Sequence, residues 1–154
     1  MSNVQHPKSE VTFSKIMVAT DGSANADAAV ASAADLAEKV GAREVLLIHV
    51  CPGCTADIDV RDANREEAED LIKQKAKLFR ESGAHVRTLV EIDYPPESVG
   101  AAILDAAMRE KPDLIVLGSR GLSGIKGMLL GSVSNKVVQN ARCPVLVIKH
   151  AGRE

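Results

Sequence analysis

Five glycines, at positions 118, 121, 124, 127 and 131, punctuate the stretch GSRGLSGIKGMLLGS that closes an apolar run and leads into a helix-like segment. Glycine costs backbone entropy, and chains use it where the main chain must take a positive φ or approach another group closely. A loop of this kind exposes backbone N–H groups, and the helix behind it adds partial positive charge, so together they can hold an anion. Ser132 and Ser134 fall in the first turn, where hydroxyls can donate to phosphate oxygens. The ligand this chemistry fits is a phosphorylated small molecule. Two familiar phosphate loops are excluded by spacing. The GxGxxG fingerprint needs two glycines one residue apart, and GxxxxGK[ST] needs its lysine directly after glycine, whereas Lys126 follows Ile125. The plain alternative is a surface loop with Ser132 as a helix cap.

A second polar turn, Asp21-Gly22-Ser23, ends the apolar run that starts at Lys15. Aspartate there either caps the next helix or faces a ligand at the carboxyl end of a strand. Cys51-Pro-Gly-Cys54 has the spacing of redox and metal motifs. Zinc needs four ligands, and no second CxxC or HxxxH pair is present. A thioredoxin-like thiol sits at a helix N-terminus, whereas several loop residues follow Cys54 before the next helical pattern. Two reduced structural thiols are therefore expected. His49, inside an apolar strand, reads as a packed histidine rather than a base. Arg120 and Lys126 are loop cations that ordinarily point into water.

These residues need a scaffold. Residues 15–20 read as a strand (β1), and residues 23–40 as an Ala-rich helix (α1) with Ala26, Ala29, Val30, Ala33, Ala37 and Val40 on one face and Gly41 as its stop. Residues 44–50 are nearly all apolar, as a parallel strand buried on both faces is (β2). Residues 63–82 carry a stripe of Ala68, Leu71, Ile72, Lys75, Ala76 and Phe79 (α2), ended by Gly83. Residues 85–91 alternate and read as a wetter, edge-type strand (β3). A helix (α3) starts at Pro95-Pro96 and runs to about residue 111 with Val99, Ala102, Ile103, Ala106 and Ala107 inward. Residues 114–117 (β4), 132–140 (α4, with Val133, Val137 and Val138 inward) and 144–148 (β5) complete the order βαβαβαβαβ. Crossovers of that length call for a parallel α/β sheet with helices on both faces. Ligands bind such sheets beyond the strands' carboxyl ends, where both polar turns lie.

With 154 residues, one domain is expected, spanning 14–150 behind a polar tail of residues 1–13. The charge of −2, from 19 Lys and Arg against 21 Asp and Glu without single-sign blocks, gives no reason to expect nucleic acid or a membrane as partner. The N-terminus has no signal-type apolar core and no stretch is long enough to span a bilayer, so the expected location is the cytoplasm.

Gly118-Ser-Arg-Gly121, nine residues, then Gly131-Ser132 is similar to the GxxG, nine, G[ST] pattern of the nucleotide-binding universal stress proteins. The resemblance extends to Lys15-Ile-Met-Val-Ala-Thr-Asp21-Gly-Ser, Leu47-Ile-His-Val50, Asp113-Leu-Ile-Val-Leu-Gly118 and Cys143-Pro-Val-Leu-Val-Ile-Lys149, in order, from about residue 15 to 150. It implies a five-stranded, Rossmann-like sheet of the adenine nucleotide α-hydrolase type with β1 and β4 adjacent. It also implies ATP, or ADP or AMP, bound with Mg²⁺ across their ends. Ala19, Thr20 and Asp21 would face the ribose and metal, with Asp21 the metal ligand. Val50 would hold the adenine edge, and Leu117 and Gly118 would flank the ribose. Gly121, Gly131, Ser132, Val133 and Ser134 would wrap the phosphates. Pairing of residues 145–149 (Val145-Leu-Val-Ile-Lys149) across a two-fold axis would make a homodimer. Some relatives lack the glycine loop and do not bind nucleotide, so the resemblance at this loop favours binding. The chain departs from the family at Asp93-Tyr94-Pro95, where glycine-x-proline is frequent, and at Ser134, where threonine is.

The expected function is thus an adenine-nucleotide-binding stress-response or signalling module. The alternative is a slow ATPase or an enzyme of the α-hydrolase type, although Thr20-Asp-Gly-Ser-Ala-Asn25 lacks the paired glycines of that enzyme loop. No dedicated base for phosphoryl transfer is legible, and no catalytic residue is assigned. A scaffold with an empty crevice leaves the glycines unexplained. Beside Val50, oxidation of Cys51 and Cys54 to a disulfide is a redox alternative that would couple nucleotide affinity to thiol state.

Overall fold

Ile16, Met17 and Val18 have no solvent exposure although successive side chains of a strand point to opposite faces. Their strand must therefore be covered on both sides, and the computed structural model, which describes residues 12–51, 57–92, 98–121 and 129–150, shows how. β1 (Lys15–Ala19), β2 (Glu44–Cys51), β3 (His85–Ile92), β4 (Leu114–Gly118) and β5 (Val145–Ile148) form one sheet in the order β3-β2-β1-β4-β5. All four pairings are parallel; β1 matches Lys15 to Glu44 of β2 and Ile16 to Leu114 of β4. The expected edge position of β3 and the α/β class are as the structure has them.

Helices α1 (Ala24–Val40) and α2 (Ile58–Ala76) cover one face, where Ile16, Val18, Val45, Leu47 and Val116 meet Ala29, Val30, Ala33, Ala37, Ile72 and Phe79. Small alanines let α1 lie close to the sheet. Helices α3 (Val99–Glu110) and α4 (Ser132–Asn140) cover the other face, packing Ile103, Ala106 and Val137 on Met17, Leu46, Ile48, Ile115 and Leu117. Burial of a side chain such as Phe79, 1% exposed, stabilises the fold by about 2–3 kcal/mol.

Two boundaries differ from the sequence reading. Helix α2 starts five residues earlier than expected, because the Asp57 carboxylate accepts from the amides of Asp59 and Val60 and caps it. Its last stretch tightens into a 3₁₀ turn, Lys77–Ser82, that tucks in Phe79. Val138, expected inward, is 43% exposed, because neighbouring helix positions are rotated about 100° apart and Val137 takes the inward place. The start expected for α3 at Pro95-Pro96 and the departure at Asp93-Tyr94-Pro95 lie outside the described residues, as does the tail up to residue 11. Among the described residues, no helix is long and apolar enough to cross a membrane.

Strand order runs outward from β1 to β2 and β3 on one side, and from β4 to β5 on the other. The chain leaves β1 toward α1 on one face and β4 toward α4 on the other, so the two connections diverge. The gap between them is the switch point at which doubly wound sheets bind ligands.

Candidate functional site

The floor of that gap is apolar. Val50 and Leu117 are buried in the cluster under α3 and α4, and Ala19 and Val133 pack against it. Thr20, 5% exposed, continues β1: its amide donates to the Ile48 carbonyl at 3.0 Å. Its own carbonyl accepts from His49 Nδ1 at 2.7 Å, which fixes the Nδ1–H tautomer and binds β2 to the turn after β1. His49 is thus a bonded, partly buried residue.

Asp21 does not cap α1. Ser23 does, its Oγ accepting from the Ala26 amide at 3.2 Å, worth about 1 kcal/mol. Asp21 instead makes a local turn, with Oδ1 accepting from the Ser23 amide at 2.9 Å. Its other oxygen is turned toward the glycine loop. A Cβ built on Gly121 would lie 2.6 Å from Asp21 Oδ2, so any other residue there would push the carboxylate aside. The two polar turns therefore meet, and glycine is what permits it.

Gly118 has a different reason to be glycine. A Cβ there would fall 2.8 Å from the carbonyl carbon and oxygen of Asn25, so the end of β4 is pressed against the first turn of α1. At Gly131 the nearest atoms to a built Cβ are Cα of Arg120 at 3.4 Å and the Ser119 carbonyl at 3.5 Å. Residues 122–128, with Gly124, Lys126 and Gly127, lie outside the described residues.

Helix α4 begins with Gly131 as its cap residue and no side-chain cap. The Gly131 amide donates to the Ser119 carbonyl at 2.7 Å, and Asn135 is the first residue to bond back into the helix, to the Gly131 carbonyl at 2.9 Å. Among the described residues the amides of Ser132, Val133 and Ser134 have no acceptor; they are first-turn donors aligned with the positive end of the helix dipole. Ser132 is exposed beside them. The Ser134 hydroxyl, expected to meet phosphate, is 2% exposed and turned inward, donating to the Ser119 carbonyl at 2.7 Å. Only its amide is left for a ligand.

These residues suit a phosphate group: three first-turn N–H donors at the start of α4, glycine at 121 and 131, and one carboxylate oxygen, Asp21 Oδ2, beside Gly121. Among the described residues no group of three or more His, Cys, Asp or Glu could hold a metal alone. A magnesium ion here would need ligand phosphates and water beside Asp21, as is usual for it. Sequence reasoning missed two residues, Ser119 and Asn25. The Ser119 hydroxyl donates to Asn25 Oδ1 at 3.5 Å and its main chain joins β4, β5 and α4. Ser119 stands inside the GxxG motif, whereas a helix-start asparagine carries no signal of its own.

A cleft of about 310 Å³ lies elsewhere, between the C-terminal ends of α3 and α4, lined by Leu104, Met108, Lys111, Arg142 and Cys143 among others. Burial pushes the Cys143 thiol above its ordinary range, which disfavours the thiolate. Cys51 is buried at the end of β2, and Cys54 lies outside the described residues.

The universal stress protein family model matches residues 12–149. Universal stress protein MJ0531 of Methanocaldococcus jannaschii is 32% identical, over 94% of this chain and 87% of its own. Among solved structures, a universal stress protein in complex with cAMP superposes with a TM-score of 0.70 at 25% identity, covering 92% of this chain and 99% of that one. The universal stress protein of Archaeoglobus fulgidus in complex with dAMP gives 0.67 at 25%, covering 90% and 99%. The shared architecture is the adenine nucleotide α-hydrolase-like fold.

Proposed function

The chain belongs to the universal stress protein family, and on that premise we propose that it is a cytoplasmic adenine-nucleotide-binding module, with ATP as the ligand, working as a homodimer. The observation that carries the reading is the trio of first-turn amides at residues 132–134, without a partner among the described residues, at the same end of the sheet as Gly121 and the Asp21 carboxylate. Similar proteins that hold cAMP or dAMP support it.

In this reading the phosphates take the amides of Ser132, Val133 and Ser134, with Gly121 and Gly131 admitting them. Ala19, Thr20 and Asp21 meet the ribose and Mg²⁺ side, with Asp21 Oδ2 as the protein's contribution to the ion. Leu117 and Gly118 border the ribose, and Val50 the adenine. Magnesium, when bound, supplies charge neutralisation between phosphates. The chain's own part is to position the tail and exclude side-chain bulk. Pairing through β5 is supported by its place at the sheet's edge, with β4 its neighbour and Leu146 37% exposed.

Binding is favoured over catalysis because two of the reactive groups near the crevice, His49 and the Ser134 hydroxyl, are already bonded. The His49 Nδ1–H is bonded to Thr20 and the Ser134 hydroxyl to Ser119. The slow-ATPase alternative rests on Asp21 orienting a water.

The test starts with protein purified without added ligand, bound nucleotide identified by mass spectrometry, and Mg²⁺-dependent phosphate release then measured. Retained ATP with negligible turnover is expected. Steady turnover that disappears in Asp21→Ala would establish the enzyme instead. In the Gly121→Val, Gly131→Val double variant, ATP affinity should fall by at least about 100-fold, near 2.7 kcal/mol, with the circular dichroism spectrum kept. Full affinity there would end the reading.

A further inference from the structure

Ser119 is 2% exposed, and each of its polar atoms is engaged. Its amide donates to the Ile148 carbonyl of β5 at 2.9 Å, and its carbonyl accepts from the Gly131 amide and the Ser134 hydroxyl, both at 2.7 Å. Its hydroxyl donates to Asn25 Oδ1 at 3.5 Å. The same Asn25 oxygen accepts from the His150 amide at 2.9 Å. The bonds therefore close a ring: Asn25 holds the end of β5, β5 holds Ser119, Ser119 holds the start of α4, and its hydroxyl returns to Asn25.

We propose that Asn25 is a positioning residue for the phosphate cradle, acting through Ser119 and the end of β5 without touching the ligand. The inference rests on the nucleotide reading of the same crevice. Two observations carry it. The three unpaired amides ride on α4, whose first residues are fastened to the sheet by the two bonds into the Ser119 carbonyl. Ser119 is in turn braced sideways at Asn25, against whose backbone the adjacent Gly118 is pressed with no room for a Cβ. Cutting the Asn25 side chain removes the acceptor for both His150 and Ser119, and the strand end and the loop can then shift relative to α1. A site whose supporting residues are loose loses affinity while its contacting groups remain in place.

The role predicts a pattern that general destabilisation does not. Adenosine touches no cradle amide, AMP reaches toward it and ATP engages it most. In Asn25→Ala, ATP affinity should drop about tenfold, AMP affinity less, and adenosine affinity should stay within about twofold, by calorimetry at fixed Mg²⁺. Ser134→Ala should weaken ATP similarly, and the double variant should lose less than the product of the two, because both act on Ser119. Unchanged ATP affinity in Asn25→Ala, with normal binding by the parent chain, overturns the assignment and leaves the nucleotide reading standing. Equal losses for adenosine and ATP overturn it too, as damage to the whole fold. If Asn25→Ala does not fold, Ser119→Ala, which removes only the hydroxyl, decides in its place: ATP about threefold weaker with adenosine unchanged supports the role, and unchanged ATP refutes it. A parent chain that captures none of the three ligands fails the nucleotide reading, and the assignment falls with it.

Discussion

The two ends of the sheet use the same kinds of polar group in opposite ways. At the amino ends of the strands they close on one another. Asp113 Oδ2 accepts from the amides of Ser14 and Lys15 at 2.9 and 2.8 Å, and the Ser14 carbonyl accepts from Arg43 and Glu44. Above them Lys15, Glu44, Arg87 and Glu110 form a chain of ion pairs across three strands and α3. At the carboxyl ends the first-turn amides of α4 have no partner among the described residues, and glycines stand at 118, 121 and 131 around them. One end is finished by the protein itself, and the other is the end to which the proposed function assigns a ligand. A substitution at the first should therefore register as stability, and one at the second as affinity.

Gly118 is where that division breaks most visibly. It lies at the ligand end, but its neighbours at 2.8 Å are the backbone carbon and oxygen of Asn25, which cannot swing aside as a side chain would. Gly118→Ala should cost about 2–3 kcal/mol in chemical denaturation at unchanged slope, the usual range for forcing a methyl into a packed site. It should also weaken ATP, because displacing the first turn of α1 moves Asp21. Wild-type stability would mean that α1 and β4 are not held in contact at this point.

Asp113→Ala sharpens the comparison from the other end. The carboxylate oxygen satisfies two partly buried amides, and losing it should cost about 1–2 kcal/mol, the penalty for leaving such donors poorly paired. ATP affinity should remain within about twofold of the parent, since the bonds of Asp113 go to Ser14 and Lys15 and not to the first turn of α4. A variant as stable as the parent but weak for nucleotide would erase the distinction between the ends.

How far the sequence announced all this depends on the range of the interaction. The bounds of α4, the start of α1 at Ser23 and its stop at Gly41 are local matters of capping and periodicity, and were legible. The early start of α2 was not, because Ile58 and Val60 are 68% and 41% exposed, so no apolar stripe marks that turn; only the Asp57 cap does. Asp21 and the glycine loop announced themselves by residue type at strand ends. Asn25 did not, because its bonds reach residues 94 and 125 positions away, and such contacts exist only once β1, β4 and β5 lie side by side. The inward turn of Ser134 was hidden for the same reason: its acceptor is the carbonyl of Ser119, across the glycine loop.

The smallest effect expected is at the ion pairs, where pH separates the ends. Hydrogen bonds from Arg87 lead the causes that hold the Glu44 and Glu110 carboxyls below their ordinary value of 4.5. A carboxyl whose folded pKa is depressed binds its proton more readily when unfolded. Its stabilisation is therefore complete above pH 4.5 and is lost as the pH falls through the lower, folded value. The pairs are partly solvated, with Arg87 41% exposed, so their worth is that of surface pairs, under about 1 kcal/mol each. The double variant Glu44→Gln, Glu110→Gln should thus melt slightly below the parent at pH 7, and the gap should shrink as the pH falls below 4.5 and through the lower, folded value, where the parent's carboxyls become neutral too. ATP affinity at pH 7 should be the same in both proteins. A gap that persists unchanged into acid would show that these side chains stabilise the amino end by packing rather than by charge, and a shift in ATP affinity would show that the two ends of the sheet communicate.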